Sequence, residues 1–597
     1  MAPRRSRPLL CVASIALALS CAPHRDPVAT PQVPVAPAPE KAAPTVDPEA
    51  AFHAFAARFL ADELAQDPTH ATKAGEHAHD AKWPDVSVAG DVARKAYLQE
   101  QLRALDALDV SGLGLQSRVD LAIVRNRIAA SLFALETIKE LDWNPLAYTG
   151  LIGDGLDPLL TRTFAPLDER MQSVRARLEG IPAIVAIAEQ RLQHSPSVHT
   201  ETAIQQNAGL VALCKKELTS AKTPSHETEL HAAASKAAAA LEGFQTFLEK
   251  DLLKRSDGSF RLGRARFERK LALELGDDVA IDALAAGARA LLEQTQLEMA
   301  ATAAELWPEL FKEPLPQADT LVKKKALIRR VLDKLADDHP DNATILRDAR
   351  ALLERATTFV RDHDLVTLPE QPCAVIEMPE YRRGVAVAYC DASGPLEKKP
   401  ETAYAISPTP KDWTEKRARS FFREYNQSML AELTVHEAMP GHFLQLMHNN
   451  QFDSKLRAVF DDGAFVEGWA VYSEWLMAKY GFGGARVRMQ RLKMVLRLAA
   501  NAVLDHEVHA GAMDEKQALA LMMDEAFQEE GEAVGKWRRA RLTSAQLSTY
   551  YYGFSEMMKL RKAAEGAPGF SERAYHDRLL GYGSPPMKQL ATIMSAK

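Results

Sequence analysis

The chain has 597 residues, 26% charged and 47% hydrophobic, an ordinary globular composition with ample length to bury a core. Asp and Glu (80) outnumber Lys and Arg (73) for a formal charge of −7, and the lack of a basic excess argues against a nucleic-acid partner. Five cysteines without CxxC spacing support neither a disulfide framework nor a thiolate zinc site.

Arg4, Arg5 and Arg7 precede an apolar run from Leu9 to Leu19 that is too short to span a bilayer, so residues 1–20 read as a secretory signal. The run ends Ala18-Leu19-Ser20-Cys21, which resembles a bacterial lipobox with Ala18 where a Leu is usual. Lipidation of Cys21 is the expectation, with unlipidated cleavage as the alternative. Ala22–Pro48 carries eight prolines in 27 residues and reads as an extended tether. At about 3.1 Å per residue it reaches roughly 80 Å. The predicted place is the bacterial cell envelope, lipid-anchored or periplasmic, with membrane contact only through the N-terminal lipid.

Asp47-Pro48-Glu49 gives an N-cap, a Pro at N1 and an acidic first turn, and Phe52, Phe55, Phe59 and Leu60 follow at helical spacing. Ala-rich amphipathic stretches recur around 92–109, 115–138, 168–193, 227–253, 278–306 and 318–360. The texture changes near 365–407, where Ala374-Val375-Ile376 and Val385–Tyr389 are the best strand candidates. Cys373 and Cys390 flank a possible hairpin there; two unpaired thiols are favoured over a disulfide. Helical periodicity returns near Asp412 and persists to the end. The expected fold is mostly α with a small β-sheet before an active-site helix. Residues 48–360 form a helical N-terminal part and 361–597 the part that carries the chemistry.

The informative stretch is His436-Glu437-Ala438-Met439-Pro440-Gly441-His442, followed by Phe465-Val466-Glu467-Gly468-Trp469. Two His and a Glu suit catalytic zinc, which keeps its fourth position open, and a Glu directly after the first His is placed to act as base. Histidines at i and i+6 lie about 240° apart on an unbroken helix, against about 40° for i and i+4. Pro440-Gly441 is expected to absorb the extra two residues as a bulge that returns His442 to His436. The competing reading has no metal, with Pro-Gly merely ending one helix and starting another. Glu467 stands 25 residues after His442, the spacing of the glutamate ligand in zinc peptidases of the thimet-oligopeptidase type, in a similar Phe-Val-Glu context.

Beyond this motif, Gln445, Glu467-Gly468-Trp469-Ala470, Tyr472, Glu474, Arg539, Gln546-x-x-x-Tyr550-x-x-Gly553, Tyr575-His576-Asp577 and Gly583-Ser584-Pro585-Pro586 follow. With these residues the chain resembles the bacterial domain of unknown function 885 family over nearly all of its mature length. The resemblance implies an α-helical, zincin-like (gluzincin-type) fold and a zinc-dependent hydrolase, most readily a peptidase. It departs from the family pattern at Ser544-Ala545 and Arg539-Ala540, which touches substrate-side details and leaves the metal set intact.

The expected site therefore has zinc on His436, His442 and Glu467, with Glu437 as general base and a tyrosine stabilising the oxyanion. Of Tyr550, Tyr551 and Tyr552, family position favours Tyr550. Arg539 pairs a substrate carboxylate or a structural Glu, and His509 is expected to line the cleft. Glu432, one turn before His436, supports the site or lies on the surface. His77-Ala78-His79-Asp80 and the His506/His509 pair read as ordinary solvated or core histidines. A zinc amidase or esterase is the alternative hydrolase, and a non-catalytic envelope lipoprotein the alternative class.

Overall fold

The computed structural model describes residues 47–223, 225–378, 383, 387–398 and 401–596. The expected signal, Cys21 and nearly all of the tether lie outside these residues. The first helix, Pro48–Gln66, starts as its sequence dictates: the Asp47 side chain accepts from the Glu49 N–H at 3.2 Å and Pro48 occupies the first turn. Phe52, Phe55 and Phe59 then fall on its buried face.

The amphipathic stretches become the helices Val88–Asp106, Leu115–Phe133, Leu167–Arg191, Glu227–Lys250 and Ile281–Leu310. The stretch expected at 318–360 is instead two helices, Leu321–Leu335 and Ile345–Asp362. Pro340 lies between them, and a proline disfavours helical conformation in the residue before it. The second of the pair buries Ile345, Ala349, Leu352, Leu353, Ala356 and Val360 along one stripe. Burying each leucine or valine contributes about 1.5–3 kcal/mol, so this stripe rather than helix propensity holds it.

The fold is mostly helical with one three-stranded sheet. Strands β1 (Ala374–Glu377), β2 (Ala388–Asp391) and β3 (Ala403–Ile406) are ordered β1-β3-β2. β3 pairs parallel with β1, Ala374 opposite Ala403, and antiparallel with β2, Cys390 opposite Tyr404. The expected hairpin between the first two strands is thus replaced by an inserted third strand, because β1 and β2 each find a better partner in the fully buried Tyr404–Ile406 run. Cys373 and Cys390 are free thiols.

The region Asp47–Lys597 holds together as one unit, and the long helix Ile281–Leu310 packs along Gly484–His509. One core spans both parts: Phe267, Leu271, Ile345 and Leu353 lie in the same buried cluster as Val435, Phe443, Phe465, Trp469 and Tyr552. The elements that carry the motif are therefore set in this shared core.

Candidate metal centre

The helix Gln427–Glu437 is opened by Asn426, whose side chain accepts from Ser428 N–H and Met429 N–H at 3.1 and 3.2 Å. It ends one residue after His436. Met439 N–H still reaches Thr434 O at 3.1 Å, Pro440 has no N–H to give, and the Met439–Pro440 peptide is cis. Gly441 N–H then folds back to Val435 O at 2.9 Å, and a new helix runs His442–Asn449. A Cβ on Gly441 would sit 1.9 Å from the His436 carbonyl oxygen and 2.4 Å from that of Val435, so only glycine fits. The expected bulge in a continuing helix is a true break into two helices. The consequence for the histidines is nevertheless convergence: the rings of His436 and His442 lie 4.7 Å apart, nearly perpendicular at 87°.

Glu467 comes from an unbroken helix, Gly463–Lys479, capped by Asp462, which accepts from Phe465 N–H at 2.8 Å. Its Oε2 lies 3.7 Å from His436 Nε2 and 3.6 Å from His442 Nε2, and the three ligating atoms all fall within 4.8 Å of one another. Tetrahedral zinc with bonds of about 2.0–2.2 Å spaces its ligand atoms about 3.4 Å apart, so the donor set fits a small divalent cation. Two residues on, Trp469 donates through Nε1 to Pro440 O at 2.8 Å and ties this helix to the break.

Seven residues after Glu467, about 20° short of two full turns, Glu474 shares its face. Its Oε1 lies 2.6 Å from His436 Nδ1, which leaves Nε2 for the cluster. The sequence motif assigns Glu474 no role, and its i, i+7 spacing from Glu467 is the sign that it shares the face. Glu432 proves deeply buried rather than superficial. Burial and the adjacent Glu474 charge push its carboxyl well up, with Arg491 opposing.

Burial disfavours an imidazolium at His436, but the hydrogen bond to Glu474 and the charges of Glu474, Glu437 and Glu467 outweigh it and hold its pKa at about 9. A cation on Nε2 competes with that proton directly. Burial likewise works against the Glu467 carboxylate, yet the His442 hydrogen bond and the charges of both histidines keep it below the usual range. Glu437, partly buried beside them, is raised by desolvation against the pull of His436 and His442. Its Oε2 accepts the backbone N–H of Cys390 on β2 at 3.0 Å, so the little sheet serves the site directly.

The helix Leu547–Glu565 crosses Gly463–Lys479 at a glycine pair. A Cβ on Gly468 would lie 2.6 Å from the Gly553 carbonyl carbon, and one on Gly553 would lie 1.9 Å from Ala464 O. Tyr550, one turn before Gly553, is thereby set beside Glu467, and burial with that charge raises its phenol to about 12. Tyr551 points its hydroxyl at Gly287 and Tyr552 donates to Asp277 at 3.0 Å, so of the three only Tyr550 faces the site. His436, Glu437, Glu474, Arg539 and Tyr550 line one cavity of about 170 Å³.

Arg539 is exposed there and donates to Gln546 Oε1 at 2.8 Å rather than to a carboxylate. His509 is not brought to this cavity. It is buried, with Nε2 at 2.9 Å from Ala540 O and 2.8 Å from Thr543 O, and lines a separate space with Lys270 and Glu274. His506 pairs with Asp282, and His77 with Asp80 and Glu397. Among the described residues, His436, His442 and Glu467 make the one cluster of three potential metal ligands.

The family described as "Bacterial protein of unknown function (DUF885)" matches residues 68–594, and the chain belongs to it. A candidate lipoprotein of unknown function from Shewanella oneidensis has 32% sequence identity, covers 91% of this chain and 100% of its own, and superposes with a TM-score of 0.77. A candidate lipoprotein from Colwellia psychrerythraea shares the fold at 15% identity, with a TM-score of 0.74 over 91% of this chain and 98% of its own. No curated protein matches. Among the described residues no helix is long and apolar enough to cross a membrane.

Proposed function

We propose that this chain is a zinc-dependent hydrolase of the bacterial cell envelope, a metallopeptidase with a zincin-like centre, held to the membrane by lipid on Cys21. The observation that carries the reading is the convergence of His436, His442 and Glu467 within 4.8 Å, beside a carboxylate, Glu437, that is not one of the three. Zinc bound there supplies Lewis acidity, polarising a carbonyl and making a water acidic near neutral pH.

The chain's own groups do the rest. Glu437 takes the proton of the attacking water and delivers it to the departing amine, and its desolvated, raised carboxyl suits both halves of that task. The Cys390 N–H keeps the carboxylate aimed. Tyr550 stays protonated through the neutral range and donates to the oxygen that gains charge as the carbonyl is attacked. Glu474 fixes the His436 tautomer and ring orientation. The envelope location draws on the Ala18-Leu19-Ser20-Cys21 junction and on the lipoprotein description of the two similar structures.

Elemental analysis of protein purified without chelator tests the reading: about one zinc per chain is expected, falling below a tenth in His436→Ala with His442→Ala. Glu437→Gln should keep the metal and lose about 10²–10⁴-fold in peptide turnover. A Glu437→Gln protein without zinc, or a double-histidine variant that retains it, sinks the assignment. Cys21→Ser should move the protein from the membrane to the soluble envelope fraction.

A further inference from the structure

The cavity that holds Glu437 and Tyr550 also holds Asn501, Lys536, Arg497 and Arg539. Most cations of this neighbourhood are matched. Arg497 is paired with Glu532, and Lys493 reaches both oxygens of Glu424 at 2.8 and 2.9 Å. Lys536 differs. It is only 6% exposed, yet its ammonium has no ion-pair or hydrogen-bond partner among the described residues. Burial and the adjacent Arg497 push it well below an ordinary lysine, with Arg539 adding to the effect and Glu532 and Glu467 opposing it. A buried ammonium held beside other cations is costly unless an anion joins it.

Asn501 adds a second, independent group. It is 5% exposed, lines the same cavity, and its side-chain oxygen accepts nothing. An unmet acceptor calls for a donor such as an amide N–H. Val471, Met494 and Leu498 contribute apolar wall.

We propose that this cavity binds the C-terminal end of a peptide. Lys536 pairs the free terminal carboxylate, Arg539 flanks it at the rim, Asn501 accepts a backbone N–H, and the apolar wall takes an aliphatic side chain. The inference rests on the peptidase reading of the site and narrows it to removal of residues from the C terminus. The balance is that of hydrolysis: water oxygen bonds the carbonyl carbon and the C–N bond breaks. The proton held by Glu437 goes to the amine, so the released fragment carries the carboxylate that Lys536 recognised.

Equilibrium binding to zinc-loaded Glu437→Gln protein tests the proposal without turnover. The probe is a randomised pool of N-acetylated tripeptides with free C termini, set against the same pool amidated, at pH 7. Free acids are expected to bind at least tenfold tighter, since a hydrogen bond to a charged group is worth roughly 10–100-fold. Lys536→Met should reduce the preference to about twofold while its melting curve stays cooperative, and Lys536→Arg should restore most of it. Equal binding of acids and amides overturns the proposal, as does an unchanged preference in a folded Lys536→Met. The acid–amide comparison is made with Lys536 in place, so a variant that fails to fold does not remove the test. Acid preference without peptide turnover by the parent would sink the peptidase reading and leave a carboxylate pocket standing. Turnover of amides as fast as acids would sink the pocket and leave the peptidase.

Discussion

The segment 427–449 and the helix Gly463–Lys479 meet at one point by opposite routes. The helix delivers Glu467 and Glu474 to one face by 3.6-residue periodicity alone, and its backbone runs undisturbed from the Asp462 cap to Lys479. The histidine segment must stop a helix, fold Gly441 against the His436 carbonyl and restart at His442 before its two rings face each other. A straight element positions ligands by spacing. A broken one positions them only with outside support, supplied here by Trp469 on Pro440 and by Glu474 on His436.

Breaking the broken side should cost most. Gly441→Ala places a methyl 1.9 Å from a carbonyl oxygen, so the backbone must move; about 3 kcal/mol of stability should go, with zinc binding lost, measured by denaturant unfolding and metal titration. An unperturbed zinc affinity would show that the close approach does not organise the histidines.

The straight side is anchored partly by Tyr472, whose hydroxyl lies 2.8 Å from His576 Nε2, while His576 Nδ1 lies 2.6 Å from Leu365 O. Burial lowers the His576 pKa to about 4, with the Leu365 hydrogen bond partly opposing. The unfolded chain therefore takes up this proton first as pH falls. Stability is fully present above about pH 6.5 and is lost as pH drops toward 4, by about 2–3 kcal/mol for this group. Unfolding titrations across that window should show the loss, and His576→Gln should shrink the slope without abolishing it, because buried His199 is also lowered to about 4.

Removing the supports one at a time sharpens the comparison further. Glu474→Gln keeps size and helix while weakening the hydrogen bond to His436, and zinc affinity should fall about 10–100-fold, read by competition with a chromogenic chelator. Trp469→Phe deletes the donor to Pro440 O and should cost about 1–2 kcal/mol in unfolding free energy, with a smaller drop in zinc affinity than Glu474→Gln. A larger metal effect from Trp469→Phe would reverse the ranking and make the Pro440 tie the main support.

The same contrast explains what could be read from the sequence. The helices were visible in their apolar stripes, and the meeting of His436, His442 and Glu467 was legible because their residue types and spacing suit one cluster of potential metal ligands. How the i, i+6 pair converges was not, since the decisive contact of Gly441 is with the carbonyl of His436 in the folded chain. The strands were located approximately, but their order was hidden because alternation says nothing about which strand inserts between two others. His509 was expected at the cleft from the family resemblance, yet the carbonyls that satisfy it come from residues 540 and 543, over thirty positions away. Lys536 sits in Gly535-Lys536-Trp537-Arg538-Arg539, a polar run whose sequence gives no sign that the helices Gln427–Glu437 and Gly484–His509 line a cavity with Lys536.

One restraint on Glu437 has no side chain to mutate. The group that holds its carboxylate is the amide of Cys390, on a strand edge that β3 does not use. A saturation scan would score position 390 by how each side chain packs against the core, and would pass over a backbone contact to the proposed base. Proline alone deletes that N–H, and at an edge it does so without removing a ladder bond. The side chain found at this position therefore says little about the amide, and the contact can persist through any change that keeps the strand packed.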